Sequence, residues 1–180
     1  MSNMDAGTGK VVVNRSMSLD GFIAGPGNAM DWVMTYATEY EFSEVMAATG
    51  AMLAGRVTHE VGKQMSGEHA DYDGGPLFVL THRPPAEPEE GVTYLSGDLA
   101  EAVATARAAA GGKNLEILGA DVASQCLRQG LVDEVLVYVL PILLGDGVRF
   151  STSDIGRIEL EPLENKQSGP VTLLRFRVKT

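Results

Sequence analysis

Apolar residues in this chain come in short runs that stop at glycine or proline, separated by stretches with helical spacing. Val11-Val12-Val13, continued through Asn14 to Met17, predicts a first strand, followed by a long loop containing Asp20-Gly21 and Gly25-Pro26-Gly27. Phe42, Val45, Met46 and Thr49 recur at helical spacing and predict a helix over about Thr35 to Ala48. Ala51 to Ala54 reads as a short buried strand, with Thr58 beginning or capping the next helix and the polar stretch Gly62 to Gly75 as loop. Leu77 to Leu80 is a strand that cannot continue past Arg83-Pro84-Pro85, because paired prolines donate nothing to a ladder. After another brief strand, Val92 to Leu95, the positions Leu99, Val103, Ala106 and Ala110 form a helical stripe ending at Gly111-Gly112.

In the second half, Glu116 to Leu118 closes an apolar run, Gly119 turns the chain, and a helix is expected from Ala120 to about Gln129 with Gly130 as its C-cap. Val132 to Leu140 reads as a strand, Gly145-Asp146-Gly147 as a glycine turn, and Ile158 to Leu160 and Val171 to Val178 as further strands. Strands that alternate with helices through residue 140, followed by strands alone, predict an α/β fold whose mostly parallel sheet gains antiparallel strands at its C-terminal end. No repeat or linker interrupts the pattern, so one domain is expected over residues 10–180, preceded by a flexible tail, residues 1–9.

Composition narrows the function classes. A net charge of −10 and a pI near 4.7 argue against general nucleic-acid binding, which needs a basic face, but leave room for a local basic pocket. The single cysteine, Cys126, excludes an internal disulfide and falls in the apolar periodicity of a helix, where it reads as a core residue. His59, His69 and His82 lack the spacing of a metal site, so no metal is expected. The longest apolar run, Val135 to Leu144, contains Pro141 and is about half the length of a membrane span. With no secretory pattern at the N-terminus, the expectation is a cytoplasmic protein with no membrane partner.

Candidate chemistry sits at the strand ends. A helix that starts at a glycine directly after a strand presents free N–H groups and a positive dipole end, which suits a phosphate. Leu118-Gly119-Ala120-Asp121-Val122 has this form, and so does Gly55-Arg56-Val57-Thr58. Leu80-Thr81-His82-Arg83 ends a strand with a hydroxyl and an arginine fork, which suit a phosphate dianion; a solvated strand end reads equally well. Asp20 either orients a substrate, supplies a proton if burial raises its pKa, or simply makes an Asp-Gly turn. Trp32 either walls a pocket for a flat heterocycle or fills core. Gly145 lies either beside a ligand cleft or in a plain hairpin turn.

These segments, with Met17-Ser18-Leu19-Asp20-Gly21-Phe22-Ile23-Ala24, Gly130-Leu131-Val132-Asp133-Glu134 and Leu143-Leu144-Gly145-Asp146-Gly147, resemble the dihydrofolate-reductase-like superfamily over roughly residues 10 to 178. The branch most similar includes the C-terminal reductase domain of the riboflavin-biosynthesis deaminase-reductase. The resemblance implies a three-layer fold with helices on both faces of the sheet, NADPH as cofactor, a small heterocyclic or carbonyl/imine substrate, and a homodimer. It implies cofactor contacts from Gly55, Arg56, Thr58, Thr81, His82, Arg83 and residues 118–122, and a substrate pocket near Asp20 and Gly145, to which the aromatic ring of Trp32 is a candidate wall on its own chemistry. Leu118 stands where related reductases carry the first of two glycines. That departure keeps a second reading open, a nucleotide-binding or interaction protein that retains the fold without turnover.

Overall fold

Alternation along Val11–Ser18 (β1) sends Val11 and Val13 to one face of a sheet and leaves Val12 and Asn14 on the other. The computed structural model describes residues 9–36, 43–65 and 75–180. Parallel strands Thr49–Gly55 (β3), Leu77–Leu80 (β4), Val92–Leu95 (β5), Asn114–Leu118 (β6) and Glu134–Leu140 (β7) join β1 in one sheet. Leu160–Ser168 (β9) and Val171–Val178 (β10) add antiparallel strands, and the order across the sheet is β5-β4-β3-β6-β1-β7-β10-β9. The expected α/β fold, mostly parallel with antiparallel strands at the C-terminal end, is what the structure shows.

Helices Leu99–Ala109 (α4) and Ala120–Arg128 (α5) cover one face. Leu99, Val103 and Ala106 of α4 and Val122, Cys126 and Leu127 of α5 pack onto Leu53, Leu115, Ile117 and Val135. Asp98 caps α4 by accepting a hydrogen bond from Glu101 N–H at 3.1 Å. The opposite face carries Asp31–Met34 (α1), Ser43–Ala48 (α2) and Arg56–Met65 (α3). Trp32, Val33 and Val45 pack there against Leu136, Tyr138 and Leu140, while His59 of α3 meets the Tyr94 ring edge-on at 6.3 Å.

Several sequence expectations need correction. Phe22–Ala24 is a strand (β2), not loop; it pairs with Val148–Arg149 (β8) in a separate two-stranded sheet. The glycine turn before β8 is therefore not a hairpin, because β8 pairs with β2 rather than with β7. Thr58 is the third residue of α3 and not its cap. That helix continues to Met65 through Gly62, at a cost of about 1 kcal/mol; it also carries the Arg56–Glu60 pair and the His59–Tyr94 contact. Of the helix expected over residues 35–48, the described part is α2; residues 37–42 lie outside the described residues, as do 66–74 and residues 1–8 of the expected tail.

One irregularity positions the site. The β1–β7 ladder runs from Val12 to Ser18, but β1 and β6 pair only at Val11↔Leu115 and Val12↔Glu116. Beyond those pairs the two central strands part.

Candidate active site

A cleft of about 330 Å³ opens where β1 and β6 part, bounded by Asn14, Arg15 and Ser16 on one side and Leu118, Gly119 and Ala120 on the other. Val57, Thr58 and Val61 of α3 form a further wall, with Ile23, Ala24, Met30 and Val148 completing a largely apolar lining. A second space of about 410 Å³ lies beyond Val57 and Thr58, which line both. It runs between Gly55 and Arg56, the β4 end at Thr81 and His82, and Asp121, Val122 and Gln125 of α5.

The structure thus brings together most of the residues singled out in the sequence. Gly55, Arg56, Thr58, Thr81, His82, Asp121 and Val122 line the polar groove, and Leu118, Gly119 and Ala120 line the apolar cleft. Gly119 holds φ +86°, and a β-carbon there would lie 2.2 Å from Thr58 Oγ1, so the bare backbone of the turn packs directly against the Thr58 side chain of α3. No side chain caps α5, which leaves its first N–H groups available at the border of the two spaces. Asp121, in the first turn of α5, adds negative charge beside those groups and accepts from Gln125 Nε2 at 2.9 Å.

Four expected residues lie elsewhere. Arg83 is exposed and outside the groove lining; its N–H donates to Thr81 Oγ1 at 3.1 Å. Trp32 is core and not a pocket wall: it is buried among Val33, Leu136 and Leu140, with Nε1 donating to Ala29 O at 3.0 Å. Gly145 and Asp20 form a clasp outside both spaces. The Asp20 carboxylate accepts from Ser18 Oγ at 2.6 Å, Gly145 N at 2.8 Å and Leu144 N at 3.1 Å. The Ser18 hydroxyl first, then the two N–H groups, hold its pKa down to about 2. A carboxyl so held is ionised and is no proton donor; it ties the loop after β1 to the turn after β7.

Sequence reasoning missed Arg15. Its guanidinium is buried and donates to Asn14 O at 2.7 Å and to Gly119 O at 2.9 Å, bridging the gap between the parted strands. Burial lowers its pKa to about 10, with Glu116 acting in the opposite direction, so it stays protonated at neutral pH. The available signal was a charge at the position after Val11 and Val13 on the core-facing register of β1.

The groups able to hold a phosphate-bearing ligand lie in the polar groove: Arg56, the hydroxyls of Thr58 and Thr81 and the uncapped start of α5, with Asp98 and Asp121 also in its lining, while the walls of the adjoining cleft are largely apolar. Among the described residues no cluster of three or more His, Cys, Asp or Glu could hold a metal ion, and no helix is long and apolar enough to cross a membrane.

The chain is 25% identical over 170 residues to the uncharacterized protein YwjB of Bacillus subtilis (strain 168), covering 93% of this chain and 97% of that one. A protein of Shewanella sp. PV-4 whose name refers to riboflavin biosynthesis superposes with a TM-score of 0.82 at 23% identity, covering 95% of this chain and 99% of that one. Dihydrofolate reductase of Enterococcus faecalis, solved with NADP(H), shares the fold with a TM-score of 0.61 at 14% identity over 97% of this chain and 99% of its own. The profile of the RibD C-terminal domain matches residues 9–174, and the chain belongs to that family, with a dihydrofolate-reductase-like fold.

Proposed function

We propose that this protein is an NADPH-dependent reductase acting on a small heterocyclic or carbonyl/imine substrate. The observation that carries the reading is the pairing of a polar groove with an apolar cleft on either side of Val57 and Thr58, at the uncapped start of α5. The groove holds phosphates through Arg56, Thr81 and the α5 N–H groups, and the close Gly119–Thr58 contact sets the bend between groove and cleft. Bound there, the nicotinamide would supply a hydride. The protein's part is to hold ring and substrate together between Leu118, Met30 and Val57 and to exclude water from one side of them. No carboxyl group lines the cleft among the described residues, and Asp20 is held ionised, so Asp20 is not the group that supplies the proton completing the reduction.

Family membership and the NADP(H) bound by the Enterococcus faecalis enzyme support this reading. The test is calorimetric titration with NADPH, followed by absorbance at the nicotinamide band against a panel of cyclic imines, pterins, pyrimidinediones and small carbonyls. Binding followed by oxidation with one class is the expected result. Binding without oxidation by any of them favours the second reading, a nucleotide-binding protein without turnover. Leu118, half-buried at the cleft in place of the family's glycine, is the observation that would then explain it.

A further inference from the structure

Arg15 is the one charged side chain among the described residues lining the apolar cleft. It is fixed there by its bonds to Asn14 O and Gly119 O, and these use two of the five N–H donors of a guanidinium. The opposing carboxylate, Glu116, is buried in β6 and does not line the cleft. Whatever ring enters between Leu118 and Met30 therefore meets a positive charge that cannot swing away, in surroundings of low dielectric.

The charge of a nicotinamide ring depends on its redox state. The reduced ring is neutral; when its C–H bond breaks and both electrons leave with the hydrogen, the ring becomes a cation. We propose that Arg15 is a specificity-determining residue that makes the cleft hold the neutral reduced ring more tightly than the cationic oxidised ring, which favours loading of NADPH and release of NADP+. The inference rests on the reductase reading and goes beyond it, because the apolar walls disfavour a cationic ring only through desolvation, to which Arg15 adds a direct repulsion. It extends to the second ligand: a neutral or acceptor-bearing substrate, such as a ring with an exocyclic carbonyl, suits the donors of Arg15, and a cationic one does not.

The experiment is calorimetric titration of NADPH and of NADP+ into the wild type, Arg15→Lys, Arg15→Met and Arg15→Gln, with thermal melts run alongside. In the wild type NADPH should bind tighter by roughly tenfold. Arg15→Met and Arg15→Gln should bring the ratio of the two dissociation constants several-fold closer to one, leaving only the desolvation difference of the apolar walls, and Arg15→Lys should keep most of it. A purely structural role through the Gly119 clasp weakens both forms together and leaves the ratio unchanged, so the ratio separates charge from scaffold. Arg15→Gln keeps a donor for Gly119 O and serves if Arg15→Met fails to fold. A folded neutral variant with the wild-type ratio overturns the inference and leaves the reductase reading intact, as does a wild type that binds both forms equally. A wild type that binds neither form overturns both.

Discussion

Gly119 and Thr58 approach so closely that a β-carbon on residue 119 would sit 2.2 Å from Thr58 Oγ1 and 3.2 Å from Thr58 Cβ. This contact joins the turn after β6 to the first turn of α3, and the two cavities meet beside it. Since Gly119 also holds φ +86°, a side chain there meets both a steric and a conformational barrier. Gly119→Ala should cost about 2–4 kcal/mol of stability, seen as a lowered melting temperature, as well as reducing NADPH affinity. Thr58→Ala removes the nearest obstacle, so Gly119→Ala/Thr58→Ala should be more stable than the sum of the single changes predicts. Strict additivity in the melts would show that the two residues do not press on each other.

Cofactor choice should depend on Arg56 more than on Arg83. Arg56 lines the polar groove and, among the described residues, pairs with Glu60 at 2.8 Å in an exposed pair, which a phosphate can replace at little cost. Arg56→Ala should weaken NADPH binding by about 1–3 kcal/mol and bring it closer to NADH, while Arg83→Ala changes both by less. Calorimetry with the two cofactors measures this, and the reverse ranking would move the phosphate site to the exposed strand end.

The Asp20 clasp predicts a pH dependence of stability. Its pKa falls from 3.8 to about 2 on folding, chiefly through Ser18 Oγ. A lowered carboxyl pKa stabilises the folded state above the unfolded value, and that contribution disappears as pH falls through the folded value. The melting temperature of the wild type should therefore exceed that of Asp20→Asn at neutral pH, with the gap narrowing between about pH 4 and pH 2. A gap that stays constant across that window would show that the carboxylate charge is not what closes the clasp.

Cys126 should be inert in the native protein. It is fully buried against the sheet, and burial pushes its thiol pKa up to about 12, so almost no thiolate forms at neutral pH. A thiol-specific disulfide reagent should label it only after denaturant unfolds the chain. Labelling at the rate of a free thiol under native conditions would require α5 to open away from the sheet.

The sequence by itself determined the order of the parallel strands and of the longer helices between them, the presence of an antiparallel end, and most of the groove. Periodicity in Val11–Ser18 and Leu99–Ala109 reports the face each turns to the core, and glycines mark where the chain turns. Segments whose structure depends on a distant partner were not legible. The β9 strand is exposed along nearly its whole length and contains Pro162, so it shows no alternation; only its ladder with β10 makes it a strand. Phe22–Ala24 and Val148–Arg149 become strands only by finding each other across more than a hundred residues. Side-chain roles followed the same rule. Thr58 and Thr81 could be named from their places at element ends, but whether Trp32 lined a pocket or filled core depended on which face its helix turned to Leu136 and Leu140. The role of Arg15 exists only because β1 and β6 part after Val12 and Glu116, leaving Gly119 O for its guanidinium to reach. Local periodicity encodes burial, whereas the meeting of residues far apart in the chain is decided by how the strands pair and where they separate.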